Sequence, residues 1–276
     1  MFQASRRFTS LTSVLLACLF AAPALGGGSE PWPPVTPVSP GGGGGPSVPV
    51  VAPDPVYVDL ELLLLVDVSD SVDEQEYALQ VGGYIEAFGD PEIREALLSL
   101  EGVAVKMLLW SSTQQRWSTS WVHIQAESDC EDLINHMTYL SVSRPFSHNT
   151  VMSEAIRSGL WELSHNAFES PRQVIDVSGD GICDNFLYYK DAEPDAVPNI
   201  DYGPVKWDDV KTRRLSTTTI NGISVGNEPG LAQWYASEVA QGEGSFSMHA
   251  NNFADFSAGI KRKLIHEITA IPVSYD

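Results

Sequence analysis

Apolar residues recur along this chain with two different periods, and the alternation between them predicts the architecture. Tyr57 to Val66 is an unbroken β-rich apolar run between Pro55 and a group of aspartates and serines, which reads as a buried strand. Tyr77, Val81, Tyr84, Ile85 and Phe88 then fall at helical spacing, so Asp73 to Leu100 is expected to be helical, with a break at Asp90-Pro91. Val103 to Trp110 reads as a second strand and Arg116 to Ile124 as a third. The polar turn between them, Ser111 to Gln115, is so short that the third strand must run antiparallel to the second.

Ser128 to Leu140 and Thr150 to Phe168 carry the helical period again, and Arg172 to Val177 reads as a fourth strand. Beyond it come a helix at Asp208 to Leu215, a strand at Thr217 to Val225 and a helix at Leu231 to Ala240. A short strand at Gly244 to His249 and a closing helix at Phe253 to Ile268 end the pattern. Strands alternating with helices imply an α/β fold, a doubly wound and mostly parallel six-stranded sheet with helices on both faces and its third strand antiparallel. Glu193 to Trp207, with Pro194, Pro198 and Pro204, reads as an irregular insertion.

The first fifty-odd residues do not fit this pattern. Arg6 and Arg7 precede a short apolar run, Leu11 to Ala22, and small residues follow at Ala22-Pro-Ala24 and Ala24-Leu-Gly26. This is the layout of a secretory signal peptide, residues 1–25, and it is too short for a comfortable membrane span. Ser5-Arg6-Arg7-Phe8 faintly resembles a twin-arginine signal, which leaves the export route open. Residues 26–55 are dominated by Gly and Pro, including Gly41 to Gly45, and have almost nothing to bury, so they are expected to be a disordered tether. The folded part is then 56–276, the size of one domain, and the expected location is secreted or periplasmic, with no membrane span in the mature chain.

Charge narrows the partners. With 36 acidic and 16 basic residues the formal net charge is −20, which repels phosphate backbones and anionic head groups and argues against nucleic-acid or membrane-surface binding. Cys130 and Cys183 remain in the folded part, and the strand directions put them at opposite ends of the sheet, so free thiols or an intermolecular bond are expected.

The candidate chemistry sits at the strand ends. Asp67-x-Ser69-x-Ser71 follows the first strand, and in an open parallel sheet the carboxyl ends of strands face the ligand crevice. A carboxylate and two hydroxyls offer three hard oxygens on one side of a turn, a set that suits Mg²⁺, Mn²⁺ or Ca²⁺. Taken alone, the same residues serve equally well as a helix N-cap. Ile175-Asp176-Val177-Ser178-Gly179-Asp180-Gly181 places a second acid at the end of the fourth strand. Its start mimics a calcium-binding helix–loop–helix, but the twelfth position is Leu187 and a strand precedes it. Tracing the element directions brings Ser147-His148-Asn149-Thr150 to the same end of the sheet, so that Thr150 arrives beside Asp67 and Asp180.

These three segments together resemble the metal-ion-dependent adhesion site of von Willebrand factor A-type domains. LLLLVDVSDSVDEQEYALQ, RQVIDVSGDG, TTTINGISV and FADFSAGIKRKLIHEI look more closely like a bacterial group of secreted A-type domains of undefined function. The resemblance covers about residues 56 to 270 and implies strand order 3-2-1-4-5-6. It implies that Ser69, Ser71 and Thr150 supply hydroxyl oxygens to a divalent cation, Mg²⁺ or Mn²⁺/Ca²⁺, while Asp67 and Asp180 bind directly or through water. It also implies an open coordination position that takes an Asp or Glu carboxylate from a protein partner. Asp70 stands where the family commonly has glycine, and His148-Asn149 replaces its glycine-rich approach to the threonine. The segment 184–207, with Asp184, Asp191, Glu193, Asp195 and Asp201, would crowd the same face and reads as a solvated loop.

A rival reading comes from another class. Gly222-Ile223-Ser224-Val225-Gly226 matches the nucleophile elbow G-x-S-x-G, and Asp255 and His266 follow in the order of a catalytic triad. Both fall in the closing helix, on its first and last turns. A rise of about 1.5 Å per residue separates them by roughly 16 Å, too far for one to orient the other. The remaining histidines show no ligand spacing. The expectation is therefore a binding module and not an enzyme, with a secreted serine hydrolase using Ser224, or a structural domain with an empty site, as the alternatives.

Overall fold

The leucine run builds the middle of a sheet. A computed structural model describes residues 54–112, 117–145, 149–182 and 218–270. In chain order its elements are β1 (Val56–Tyr57), β2 (Leu60–Asp67), α1 (Glu74–Gly89), α2 (Pro91–Leu98), β3 (Val103–Trp110), β4 (Trp117–Ser118) and β5 (Val122–Ile124). They continue with α3 (Glu127–Ser141), α4 (Met152–Ser164), β6 (Phe168–Glu169), β7 (Gln173–Gly179), β8 (Thr218–Val225), α5 (Leu231–Trp234), a π-helical turn at Tyr235–Val239, β9 (Ser247–Ala250) and α6 (Phe253–Thr269). The signal-peptide and tether readings, the helix expected at Asp208 to Leu215, Cys183, Ser147-His148 and the 184–207 segment lie outside the described residues.

The main sheet runs β4-β3-β2-β7-β8-β9. Its pairs are parallel except those of β4 and β5, both antiparallel to β3. This is the order 3-2-1-4-5-6 with the third strand reversed. That strand is split in two, so the sheet counts seven strands and not six. The split has a local cause. The Thr119 hydroxyl accepts from the Met107 amide at 3.0 Å, taking the place of a ladder carbonyl between the two pieces.

Because β2 is covered on both faces, all eight of its residues are buried. Leu60, Leu62, Leu64 and Val66 face a core shared with α1, α2, α3 and α6, and Leu63 and Leu65 face a second core under α4, α5 and the π turn. Caps set the helix ends. Asp73 accepts from the Gln75 and Glu76 amides while Glu76 reaches back to the Asp73 amide, a complete capping box for α1. Asp90 both ends α1 and caps α2, where Pro91 occupies the first helical position.

Three elements depart from the sequence pattern. Tyr57 does not belong to the central strand. It and Val56 pair with β6 in a separate two-stranded ribbon before the chain enters β2. The helix expected over Thr150 to Phe168 stops at Ser164, because the Asn166 side chain bonds the Glu162 and Leu163 carbonyls and takes the Phe168 amide, turning the chain into β6. The helix expected over Leu231 to Ala240 widens into a π turn, closed by the Ala240 amide on the Tyr235 carbonyl.

Candidate metal centre

At the carboxyl end of the central strands, β2 delivers Asp67 and the loop after it delivers Ser69 and Ser71, while β7 delivers Asp180. Asp67 Oδ1 accepts from the Ser69 amide at 2.8 Å, which folds the loop back over the strand end. Ser69 Oγ lies 3.2 Å from Ser71 Oγ, and Ser71 Oγ donates to Asp180 Oδ1 at 2.7 Å. Thr150, just ahead of α4, packs on the next residue of the β7 turn: a Cβ added at Gly181 would lie 3.4 Å from Thr150 Oγ1. Four of the five residues are thus linked in one chain of contacts from Asp67 to Asp180, and Thr150 adjoins its end. Asp70 is exposed.

Electrostatics mark the centre as short of positive charge. Burial, and then the charge of Asp180, push the Asp67 carboxyl up to about 7. Asp180 is raised as well, first by burial and then by Glu76 and Glu228. Asp67 Oδ2 is fully buried and has no hydrogen-bond partner. Orphaned carboxylate oxygens in a dry site are costly, and a divalent cation is the group that would satisfy this one. Among the described residues no three His, Cys, Asp or Glu side chains cluster as a metal group. The present donor set is two carboxylates with three hydroxyls, so its fit to a cation rests on hard oxygens and on the orphaned Asp67 Oδ2.

Several supporting residues escape sequence reasoning. Gln80, on the buried stripe of α1, donates to the Asp67 carbonyl at 2.8 Å and accepts from Ser178 Oγ at 3.0 Å. A polar side chain amid Tyr77, Val81 and Tyr84 was its only signal. Arg144 holds the Ser69 and Val72 carbonyls from the other side of the loop. Gly179 keeps the floor open: a Cβ there would meet Asp67 Oδ2 at 2.7 Å and the Tyr235 hydroxyl at 2.8 Å. Tyr235, the first residue of the π turn, therefore lies against the floor of the site.

The hydrolase residues fall differently. Ser224 sits inside β8, fully buried, in an unbroken strand and not on an exposed elbow. Its hydroxyl meets His249 Nδ1 at 2.9 Å, a pairing across β8 and β9 that the scattered histidines gave no reason to expect. His266 instead packs edge-on against Phe246, and the Asp255 amide donates to the side chain of Asn252, the N-cap of its helix.

Sheet order, the reversed edge strand and helices on both faces define this as a von Willebrand factor A-type fold. The family is more specific: the chain belongs to the one described as "Protein of unknown function (DUF1194)", whose family model matches residues 57–272. Comparison with curated proteins gives no match. Among solved structures, the pilus adhesin SpaC from Lactobacillus rhamnosus GG is 13% identical with a TM-score of 0.50, covering 78% of this chain and 31% of that one. The von Willebrand factor type A protein from Catenulispora acidiphila is 8% identical with a TM-score of 0.47, covering 76% of this chain and 42% of the other. Proximal thread matrix protein 1 from the mussel byssus, with a zinc-occupied MIDAS motif, is 11% identical with a TM-score of 0.48, covering 75% and 45%. The match thus spans less than half of the byssus protein. No described helix is long and apolar enough to cross a membrane.

Proposed function

We propose that this chain is a secreted or periplasmic protein-binding module that captures an acidic group of a protein partner through a divalent cation. Asp67, Ser69, Ser71, Thr150 and Asp180 hold the cation, Mg²⁺ or Mn²⁺/Ca²⁺. The observation that carries this reading is the buried, unpartnered Asp67 Oδ2 beside a linked set of hydroxyls and a second carboxylate. A bound cation supplies the positive charge these oxygens lack. With few direct carboxylates it stays electropositive enough to attract an anionic side chain. The chain's own residues do the orienting: Gln80 and Arg144 pin the backbone of the Asp67 to Val72 loop, and Gly179 leaves room for the Asp67 carboxylate. In this reading residues 26–55 tether one folded domain, 56–276, and the module binds without catalysis. Buried Ser224 supports no hydrolase.

Titration calorimetry with Mg²⁺, Mn²⁺ and Ca²⁺ is expected to show binding that Asp67→Ala and Thr150→Ala abolish. A pull-down from native extracellular material should release its partner on chelation. Absence of heat and of thermal shift with all three cations would leave a purely structural domain and overturn the proposal.

A further inference from the structure

Under α6, on the face of the sheet that packs α1, three ionisable side chains are closed off from solvent. Lys263 and Glu267 stand one turn apart on α6 and Asp176 rises from β7. Lys263 and Asp176 are 0% exposed and Glu267 is 2% exposed. Lys263 Nζ lies 2.6 Å from Asp176 Oδ1 and 2.5 Å from Glu267 Oε1. Asn221 of β8 donates to Glu267 Oε1 at 2.8 Å, and the Phe246 ring centre is 5.7 Å from Nζ. Among the described residues the other charged or titratable groups facing the cluster are Tyr84 of α1, buried close to Asp176, and Arg172, whose guanidinium holds the Glu267 carbonyl.

As a salt bridge this arrangement is poorly compensated. Among the described residues neither oxygen of Asp176 has a hydrogen bond, so its charge depends on contact with Lys263, and Glu267 Oε2 is likewise without a partner there. Two buried carboxylates share one ammonium, where full hydrogen bonding would be needed to offset desolvation. Condensation of the amine with the Asp176 carboxylate, the one no hydrogen bond holds, would remove two buried charges together and leave a neutral amide. The site holds the required parts at contact distance: an amine, an acceptor carboxyl and a second carboxyl to move protons. Its burial also excludes the water that would reverse the step.

We propose that Lys263 and Asp176 form an intramolecular isopeptide bond, with Glu267 as the catalytic proton shuttle. The ammonium first passes a proton to the Asp176 carboxylate, giving a neutral amine and a neutral acid. The amine lone pair then attacks Asp176 Cγ. Glu267 gives its proton to the departing hydroxyl and takes one from the nitrogen. The Nζ–Cγ bond forms, the Cγ–O bond breaks and one water leaves, with no change of oxidation state. Burial, and then the charge of Asp176, push the Glu267 carboxyl up to about 8, so it carries the needed proton at neutral pH. The bond would staple the last helix to a central strand. It does not depend on the cation-binding reading, since none of its three residues belongs to that site.

Tryptic peptide mass mapping of the denatured full chain tests this. Cleavage after Arg172, Lys190 and Arg262 is expected to release residues 173–190 and 263–276 as one branched species, lighter by one water than the two peptides. Lys263→Arg and Glu267→Gln are expected to yield 173–190 and 264–276 unlinked. Separate peptides 173–190 and 264–276 from folded wild-type protein would overturn the bond. A branched species from Glu267→Gln would overturn the shuttle. The wild-type result decides the first point even where a variant fails to fold.

Discussion

The fold encloses two pairs of carboxylates, and they resolve their repulsion in opposite ways. Asp67 and Asp180 meet at the end of the sheet, ringed by hydroxyls and with Asp180 and Ser71 reaching the surface. Asp176 and Glu267 meet inside the core with Lys263 between them. Among the described residues the first pair has no cation beside it and is open at one side, as the proposed uptake of a cation from outside requires. The second is sealed and holds a lysine between its acids, the arrangement of a fastening. Only three residues, Val177 to Gly179, separate Asp176 from Asp180, so one strand serves both ends.

The largest expected effect comes from removing Lys263. Lys263→Met leaves two uncompensated acids in the core and should cost about 3–5 kcal/mol in urea unfolding. The triple variant Lys263→Met, Asp176→Leu, Glu267→Leu should recover most of that loss. Equal stability of the single variant and wild type would break the contrast. At the open pair the handle is pH and cation together. Asp67 is raised from 3.8 to about 7, so in cation-free protein its protonated form stabilises the fold below about pH 4. That contribution is lost as pH rises through about 7. A saturating cation takes the proton's place, adding about 2.7 kcal/mol at a hundredfold excess over Kd, an increment that vanishes in Asp67→Ala. Thermal melts at pH 4, 6 and 8, with and without Mg²⁺, check both signs.

Gly179→Ala places a methyl group against Asp67 Oδ2 and the Tyr235 hydroxyl. It should cost about 1–3 kcal/mol and weaken the cation response, while leaving the Lys263 cluster intact. Asp70→Asn should be smallest: within about 0.5 kcal/mol in stability, with faster capture of an acidic partner at low salt, visible in surface-binding kinetics. A large stability change there would show that Asp70 belongs to the centre.

Much of this is legible in the sequence for a physical reason. Strand and helix periods report burial directly, so β3, β7 and β8 appear within a residue or two of their bounds and β2 within three, and strand order follows once the A-type resemblance is seen. Asp67, Ser69 and Ser71 share a two-residue spacing, and strand direction alone brings Thr150 and Asp180 near them. What escaped depends on side chains that replace backbone partners or on register between distant elements. Thr119 splits a strand and Asn166 ends a helix, and neither effect has a periodic signature. Lys263 and Glu267 at i, i+4 look like an ordinary exposed pair until α6 is laid on Asp176. Ser224 and His249 meet only because β8 and β9 align in that register.

The ribbon of β1 and β6 has a mechanical consequence. It sits where the chain enters the foot of β2, and Asp67 closes the same strand at its head. A partner held at Asp67 would pull against the incoming chain along the axis of β2. The ladders to β3 and β7 would then be loaded in shear, with their bonds resisting together and not opening one at a time. Such a strand suits a grip that has to bear tension.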